Sequence, residues 1–175
     1  MNELQFIVCC SDSLRTFGNP GKELSMNRYA SGMVAGLAAT IVLSLIMLFK
    51  AGMGIMPQLN VIQMLAQMLH ARMGLPPSPL LGWLMHFAIG TVLWGLLFAL
   101  LVDALPGKTP LAKGLVFSTG AWLVMMVIAM PMAGAGPFGL SIGPMAPVMT
   151  LVLHWIWGAI LGSVYPRLAK TSRRE

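Results

Sequence analysis

Charged residues are scarce in this chain, where they make up 9% of 175 residues while hydrophobic residues make up 57%. Soluble domains carry roughly a quarter charged residues, so this composition excludes an ordinary water-covered surface and predicts one that faces lipid. The 16 Met and 19 Gly residues agree with a membrane bundle. Flexible thioethers fill gaps between helices, and small residues let helices approach closely in a bilayer.

Cysteine and acidic residues are also few, with two Cys and five Asp plus Glu. Cys9 and Cys10 are adjacent, so they form neither a disulfide framework nor a thiolate metal site. The sequence has no nucleophile elbow, phosphate loop or paired carboxylates, and we therefore assign no catalytic residue and no metal ligand. The net charge of +6 does not predict nucleic-acid binding, because the basic residues flank apolar runs and form no patch with aromatics.

Four apolar segments are long enough to cross a bilayer core of about 30 Å, which requires about 20 helical residues. We predict transmembrane helices over about 29–49, 80–102, 115–130 and 146–165, with Pro131 ending the third and Pro166 beyond the end of the fourth. The fold class is therefore all-α. The transmembrane domain covers 29–166, between a polar leader, 1–28, and a basic tail, 167–175. The leader is expected to be disordered, or to be untranslated if synthesis starts at Met26.

The basic residues fall mostly on one side of this predicted bundle, whereas the other side has only Lys50 and Arg72. Because cytoplasmic loops carry the excess of Lys and Arg, both termini are expected in the cytoplasm and the protein in the bacterial inner membrane. On the outer side, residues 57–72 would place apolar side chains on one face of a helix and polar side chains on another. This pattern predicts an interfacial amphipathic helix. The uncharged, Gly- and Pro-rich loop 131–147 is expected to fold back onto the outer mouth of the bundle.

An internal repeat is suggested by two matched stretches, His86-Phe-Ala-Ile-Gly90 and His154-Trp-Ile-Trp-Gly158. The first and third helices also open alike, with Gly32-Met-Val and Gly114-Leu-Val. These matches favour a tandem repeat of two helix hairpins.

Small residues recur every four positions and predict helix faces that pack against protein, because side chains at i and i+4 share a face. Such faces serve contacts within the bundle, with another membrane protein or with a second copy of the chain. The predicted helix-packing glycines are Gly32, Gly36, Gly82, Gly90, Gly158 and Gly162.

Two histidines, His86 and His154, lie on these faces at similar depths, about 9 and 12 Å from the outer helix ends at 1.5 Å per residue. Ionisable groups inside a membrane are candidate functional groups, so a proton relay is one interpretation. A second is axial ligation of one haem, with the following glycines leaving room for the porphyrin. A third is hydrogen bonding across helices, for example to Thr40, Thr91 or Thr150.

Longer strings carry a resemblance to a known family. They are GMVAGLAATIVLSLIM, GWLMHFAIGTVLWGLLFAL, KGLVFSTGAWLVMM, PMAGAGPFG and TLVLHWIWGAILGSVY. Over about residues 32–165 the chain resembles a family of small bacterial inner-membrane proteins catalogued as a domain of unknown function. The resemblance implies membrane location and four helices, and it assigns no reaction.

From these observations the sequence predicts a non-enzymatic accessory or assembly partner in the lipid bilayer. This hypothesis rests on the small size of the chain and on the packing faces. The alternative is a small transporter, channel or proton conduit that uses the paired histidines. The second alternative is a haem-binding redox protein with His86 and His154 as axial ligands.

Overall fold

The structure, a computed structural model, describes residues 27–169, so most of the predicted leader (1–28) and part of the basic tail (167–175) lie outside the described residues. The described chain is all-helical and contains four helices long and apolar enough to cross a membrane. This confirms the predicted fold class and makes the chain a multi-pass membrane protein. The four spans are α1 (Arg28–Gly52), α3 (Pro79–Leu101), α4 (Pro110–Met132) and α5 (Ala146–Ala169). A shorter helix, α2 (Val61–Met73), lies between α1 and α3.

Side-chain caps fix where these helices begin. Asn27, Asn60 and Thr109 each accept a hydrogen bond from a backbone N–H in the first turn of α1, α2 and α4. Ser78 accepts the equivalent hydrogen bond at the start of α3. Both α3 and α4 also have a proline in the first turn. Since the first N–H groups of a helix have no partner within the helix, these caps set where α1, α2, α3 and α4 begin.

Several helix ends differ from the sequence-based expectation: α1 reaches Gly52 instead of residue 49, and α4 passes through Pro131, which was predicted to end it, to Met132. Helix α4 begins at Pro110 instead of Leu115, because Thr109 caps it and the Lys113 ammonium group donates to the carbonyl of Val102, 2.6 Å away. Helix α5 continues through Pro166 to Ala169. Proline removes only one backbone donor there, and Arg167 donates from its side chain to the Ser163 carbonyl at 3.0 Å.

Helix α1 lies between α3 and α5, and α4 packs on α5. Glycines bring these pairs close together. A Cβ on Gly36 would lie 2.8 Å from the Gly90 oxygen, and one on Gly114 would lie 2.2 Å from the Gly158 oxygen. The GxxxG pair Gly158 and Gly162 therefore meets α4 within the same chain, so this face is occupied inside the bundle.

Aromatic side chains fill the half of the bundle where α1 and α4 begin, which we call the inner half. Phe117 contacts Phe98 and Trp157 with ring centroids 5.2 and 6.3 Å apart, and Phe98 meets Tyr165 at 5.3 Å. Leu161 is also fully buried in this cluster. The rings come from α3, α4 and α5, and Ala35 and Ala39 of α1 are buried in the same cluster, so this half is a packed apolar core.

The opposite, outer half is covered by α2 and by the loop after α4. Helix α2 rests on the start of α3, where a Cβ on Gly82 would lie 2.2 Å from the Ile62 oxygen. Its Gln63, Gln67 and His70 side chains are exposed, as the amphipathic pattern predicts. The loop buries Ala135 against Leu59 and nearby methionines, so it folds back onto the bundle as expected.

Candidate functional site

A cleft of about 300 Å³ lies in the outer half, between α3 and α4. Its floor is formed by α1 and α5, where Thr40 and Thr150 are buried. Its rims are Leu93 of α3 and Val124 of α4, which are 55% and 46% exposed. Since α3 and α4 pack mainly on other helices, the cleft opens sideways, toward the region that lipid occupies.

Both walls of the cleft contain π-helical turns. In α3 the π segment is Ala88–Leu93, and in α4 it is Met125–Ala129. The N–H of Trp94 donates to Ile89 and that of Met130 donates to Met125, five residues back in each case. A π turn accommodates one extra residue in an α-helix, and such turns are frequent at functional sites. Here both of them widen helices at the same cleft.

His86 lines the cleft from α3. Its ring meets Trp83 and Phe87 edge-on at centroid distances of 5.9 and 5.8 Å. Its Nε2 atom is buried and has no hydrogen-bond partner among the described residues. A buried polar atom without a partner is costly, so a group that enters the cleft and bonds to this nitrogen would relieve the cost.

His154 lines the cleft from α5. Its Nδ1 atom lies 2.8 Å from the Thr150 carbonyl oxygen. Because a carbonyl only accepts, Nδ1 carries the proton and Nε2 carries the lone pair. One interpretation of the sequence had the histidines bonding across helices, but this bond of His154 lies within its own helix, and the second nitrogen is left as an acceptor.

At the floor of the cleft, the polar bonds between helices come from tryptophans, a role that the sequence analysis did not predict. Trp157 donates to Thr40 at 3.2 Å, and Trp122 donates to Thr150 at 3.1 Å. In the sequence, the feature that could have indicated these bonds is that Thr40 and Thr150 lie on the small-residue faces of α1 and α5, which are buried. These bonds hold the floor of the cleft and leave the two imidazoles as its available polar groups.

Gly90 lines the cleft, and Gly158 lies one turn from His154, yet neither glycine has open space beside it. A Cβ on Gly90 would lie 2.2 Å from the Thr40 hydroxyl oxygen, and one on Gly158 would lie 2.2 Å from that of Ser118. The space beside each glycine is therefore filled by a neighbouring helix. This filling removes the room that the haem hypothesis placed next to His86 and His154.

Within residues 27–169, no group of three or more His, Cys, Asp or Glu side chains could hold a metal ion. The cleft offers two imidazoles in a mostly apolar wall. Such a site can bind an apolar molecule and orient it through a hydrogen bond.

Residues 26–175 match the model of a family of unknown function, DUF6789, and the chain belongs to this family. No curated protein and no solved structure matches the chain.

Proposed function

We propose that this member of a family of unknown function is a non-enzymatic accessory protein of the bacterial inner membrane that holds a lipid-soluble molecule in the cleft between α3 and α4. The observation that carries the proposal is the position of both intramembrane histidines in one lateral cleft. The cleft is small and apolar and has few polar groups, as is typical of ligand sites.

The ligand class follows from the two imidazoles. His86 presents a buried nitrogen without a partner, and His154 presents an acceptor nitrogen. A hydroxyl group can donate its one proton to an acceptor nitrogen and accept a hydrogen bond from a second nitrogen that carries a proton. We therefore propose a ligand with a long apolar body and a hydroxyl head that enters sideways from the bilayer.

The cleft supports ligand binding better than the other functions considered. A proton or solute conduit requires a path through the inner half, where Phe98, Phe117 and Trp157 form a packed core. The hypothesis of a protein partner relied on free glycine faces, and those of Gly114, Gly158 and Gly162 meet each other within the chain.

Part of the proposal concerns topology and ancestry. The termini lie on the cytoplasmic side, because Arg28, Lys108 and Lys113 are at the same end of the bundle. The bundle is a tandem repeat in which Gly36 against Gly90 corresponds to Gly114 against Gly158. This correspondence aligns Gly36 with Gly114. The sequence comparison aligned Gly32 with Gly114, which is four residues, or about one helical turn, away.

The test is photolabelling of the detergent-solubilised full chain with a long-chain alcohol that carries a diazirine. We expect saturable labelling of residues 86–94 and 121–129, which excess unlabelled alcohol removes. A hydrocarbon diazirine of equal length should label without saturation.

The substitution Ala129→Phe fills the cleft wall and should abolish saturable labelling, whereas Val127→Phe on the exposed side of the same helix should preserve it. Equal labelling of the two variants would contradict the proposal.

A further inference from the structure

A second pocket, of about 580 Å³, lies at the inner end of the bundle, where α1 and α4 begin and α3 and α5 end. Its charged lining consists of Arg28, Asp103, Lys108 and Lys113. Phe98 and Val102 form apolar walls beneath these groups. The pocket is separate from the histidine cleft, with which it shares no lining residue.

The charges in this pocket do not balance. Arg28 pairs with Asp103 at 3.0 Å and also donates to the Ala99 carbonyl, so it joins the start of α1 to the end of α3. Asp103 is the sole acidic residue between positions 27 and 169. The Lys113 ammonium group donates to the Val102 carbonyl, which carries no formal charge. Within the described residues, Lys108 and Lys113 therefore carry two positive charges that no carboxylate neutralises.

The position of the pocket indicates which anion neutralises them. The spans end at this level, so the pocket lies at the depth of lipid headgroups. Lysines bind phosphate, and basic pockets between transmembrane helices bind acidic headgroups. The apolar walls below suit the glycerol ester region and the upper acyl chains of a lipid, whereas a free phosphate ion would leave them uncovered.

We propose that this pocket binds the headgroup of one anionic phospholipid, with Lys108 and Lys113 contacting its phosphate. The Arg28–Asp103 pair forms the adjoining wall and holds α1 and α3 at the spacing that the headgroup requires.

The test is native mass spectrometry of the full chain in mild detergent with phosphatidylglycerol or phosphatidylcholine of identical acyl chains. We expect one phosphatidylglycerol molecule to bind at least tenfold more tightly than phosphatidylcholine. The variants Lys108→Gln and Lys113→Gln should each weaken phosphatidylglycerol binding about tenfold. Arg72→Gln removes the same charge from an exposed site at the opposite end and should leave binding unchanged.

Circular dichroism and elution volume on size-exclusion chromatography identify any variant that fails to fold. If Lys113→Gln fails to fold, Lys108→Gln still provides the test, because Lys108 is exposed. Equal affinity for the two lipids would overturn the proposal, as would an equal loss in Arg72→Gln. Displacement of phosphatidylglycerol by millimolar inorganic phosphate would identify a site for free phosphate and would also overturn it.

Discussion

At the scale of single residues, the contacts of the glycines decide which of them are essential. Gly114 and Gly120 lie in the same helix, α4, yet a Cβ on Gly114 would lie 2.2 Å from the Gly158 oxygen, while a Cβ on Gly120 would have nothing within 4 Å. The sequence analysis named neither glycine as a packing residue, because the contact that distinguishes them belongs to the neighbouring helix.

We expect Gly114→Ala to lower the free energy of unfolding by about 2 kcal/mol, as overpacking of a tight contact usually does. Gly120→Ala should be neutral or stabilising by up to about 1 kcal/mol, because alanine favours helix. Denaturation of both variants in mixed micelles, followed by circular dichroism, gives the comparison. Equal losses would show that the α4–α5 contact is looser than described.

Lys50 is a residue whose role the sequence analysis did not identify. It was counted only as one of two outer charges, yet its side chain is 8% exposed. Its ammonium group donates to the carbonyls of Ile55, Met56 and Leu59 at 2.9, 3.2 and 3.3 Å. It thereby ties the turn after α1 to the end of that helix.

Replacing Lys50 with Met keeps the length of the side chain and removes these three bonds. We expect local destabilisation of at least about 2 kcal/mol, since one hydrogen bond to a charged group contributes about 1.5–3 kcal/mol and the three bonds share one ammonium group. Hydrogen exchange of residues 53–60 should rise roughly 30-fold if exchange follows local opening. Arg72→Met, which removes an exposed charge from the end of α2, is the control and should leave this segment unchanged.

At the scale of helices, the sequence predicts the spans well and their irregularities poorly. The lengths of the apolar runs set the four spans because lipid leaves no alternative for the backbone. The π turns at Ala88–Leu93 and Met125–Ala129 have no comparable signal, because they form where packing on both sides of a helix fixes its face. The shape of the cleft depends on these turns and could not be predicted from the sequence. The sequence analysis did identify His86 and His154, which line the cleft, as candidate functional residues.

The π turn in α3 accounts for a difference in spacing between two glycine pairs. Gly90 and Gly95 of α3 are five residues apart, and Gly158 and Gly162 of α5 are four apart, yet each pair packs on a neighbouring helix. The extra residue in the π turn lets α3 present both of its glycines to α1.

Deleting Val92, which is exposed within this turn, should therefore convert it to regular α-helix with both glycines still facing α1. We expect the variant to stay folded and to lose saturable alcohol labelling. Deleting Val116, exposed in a regular part of α4, should instead rotate the rest of that helix by about 100° and unfold the bundle. Equal thermal stability of the two deletions, measured by circular dichroism, would contradict this account of the turn.

At the scale of the whole molecule, charge distribution predicts orientation. The pocket that contains Arg28, Lys108 and Lys113 marks the end that we place in the cytoplasm. A green fluorescent protein fused after residue 175 should fluoresce, while alkaline phosphatase at the same position should be inactive. Phosphatase inserted after Gly74, in the exposed loop after α2, should be active. The reverse pattern would invert the topology and place the proposed lipid site in the opposite leaflet.

The central position of α1 has a consequence for biosynthesis. Helices leave the ribosome in chain order, and α1 and α3 pack on each other through their glycines as soon as both are inserted. The main partner of α4 is α5, the span that follows it in the chain. A chain interrupted before residue 146 would leave the glycine face of α4 uncovered in the bilayer. Until α5 is inserted, membrane quality-control proteases would therefore meet a sharply defined incomplete product.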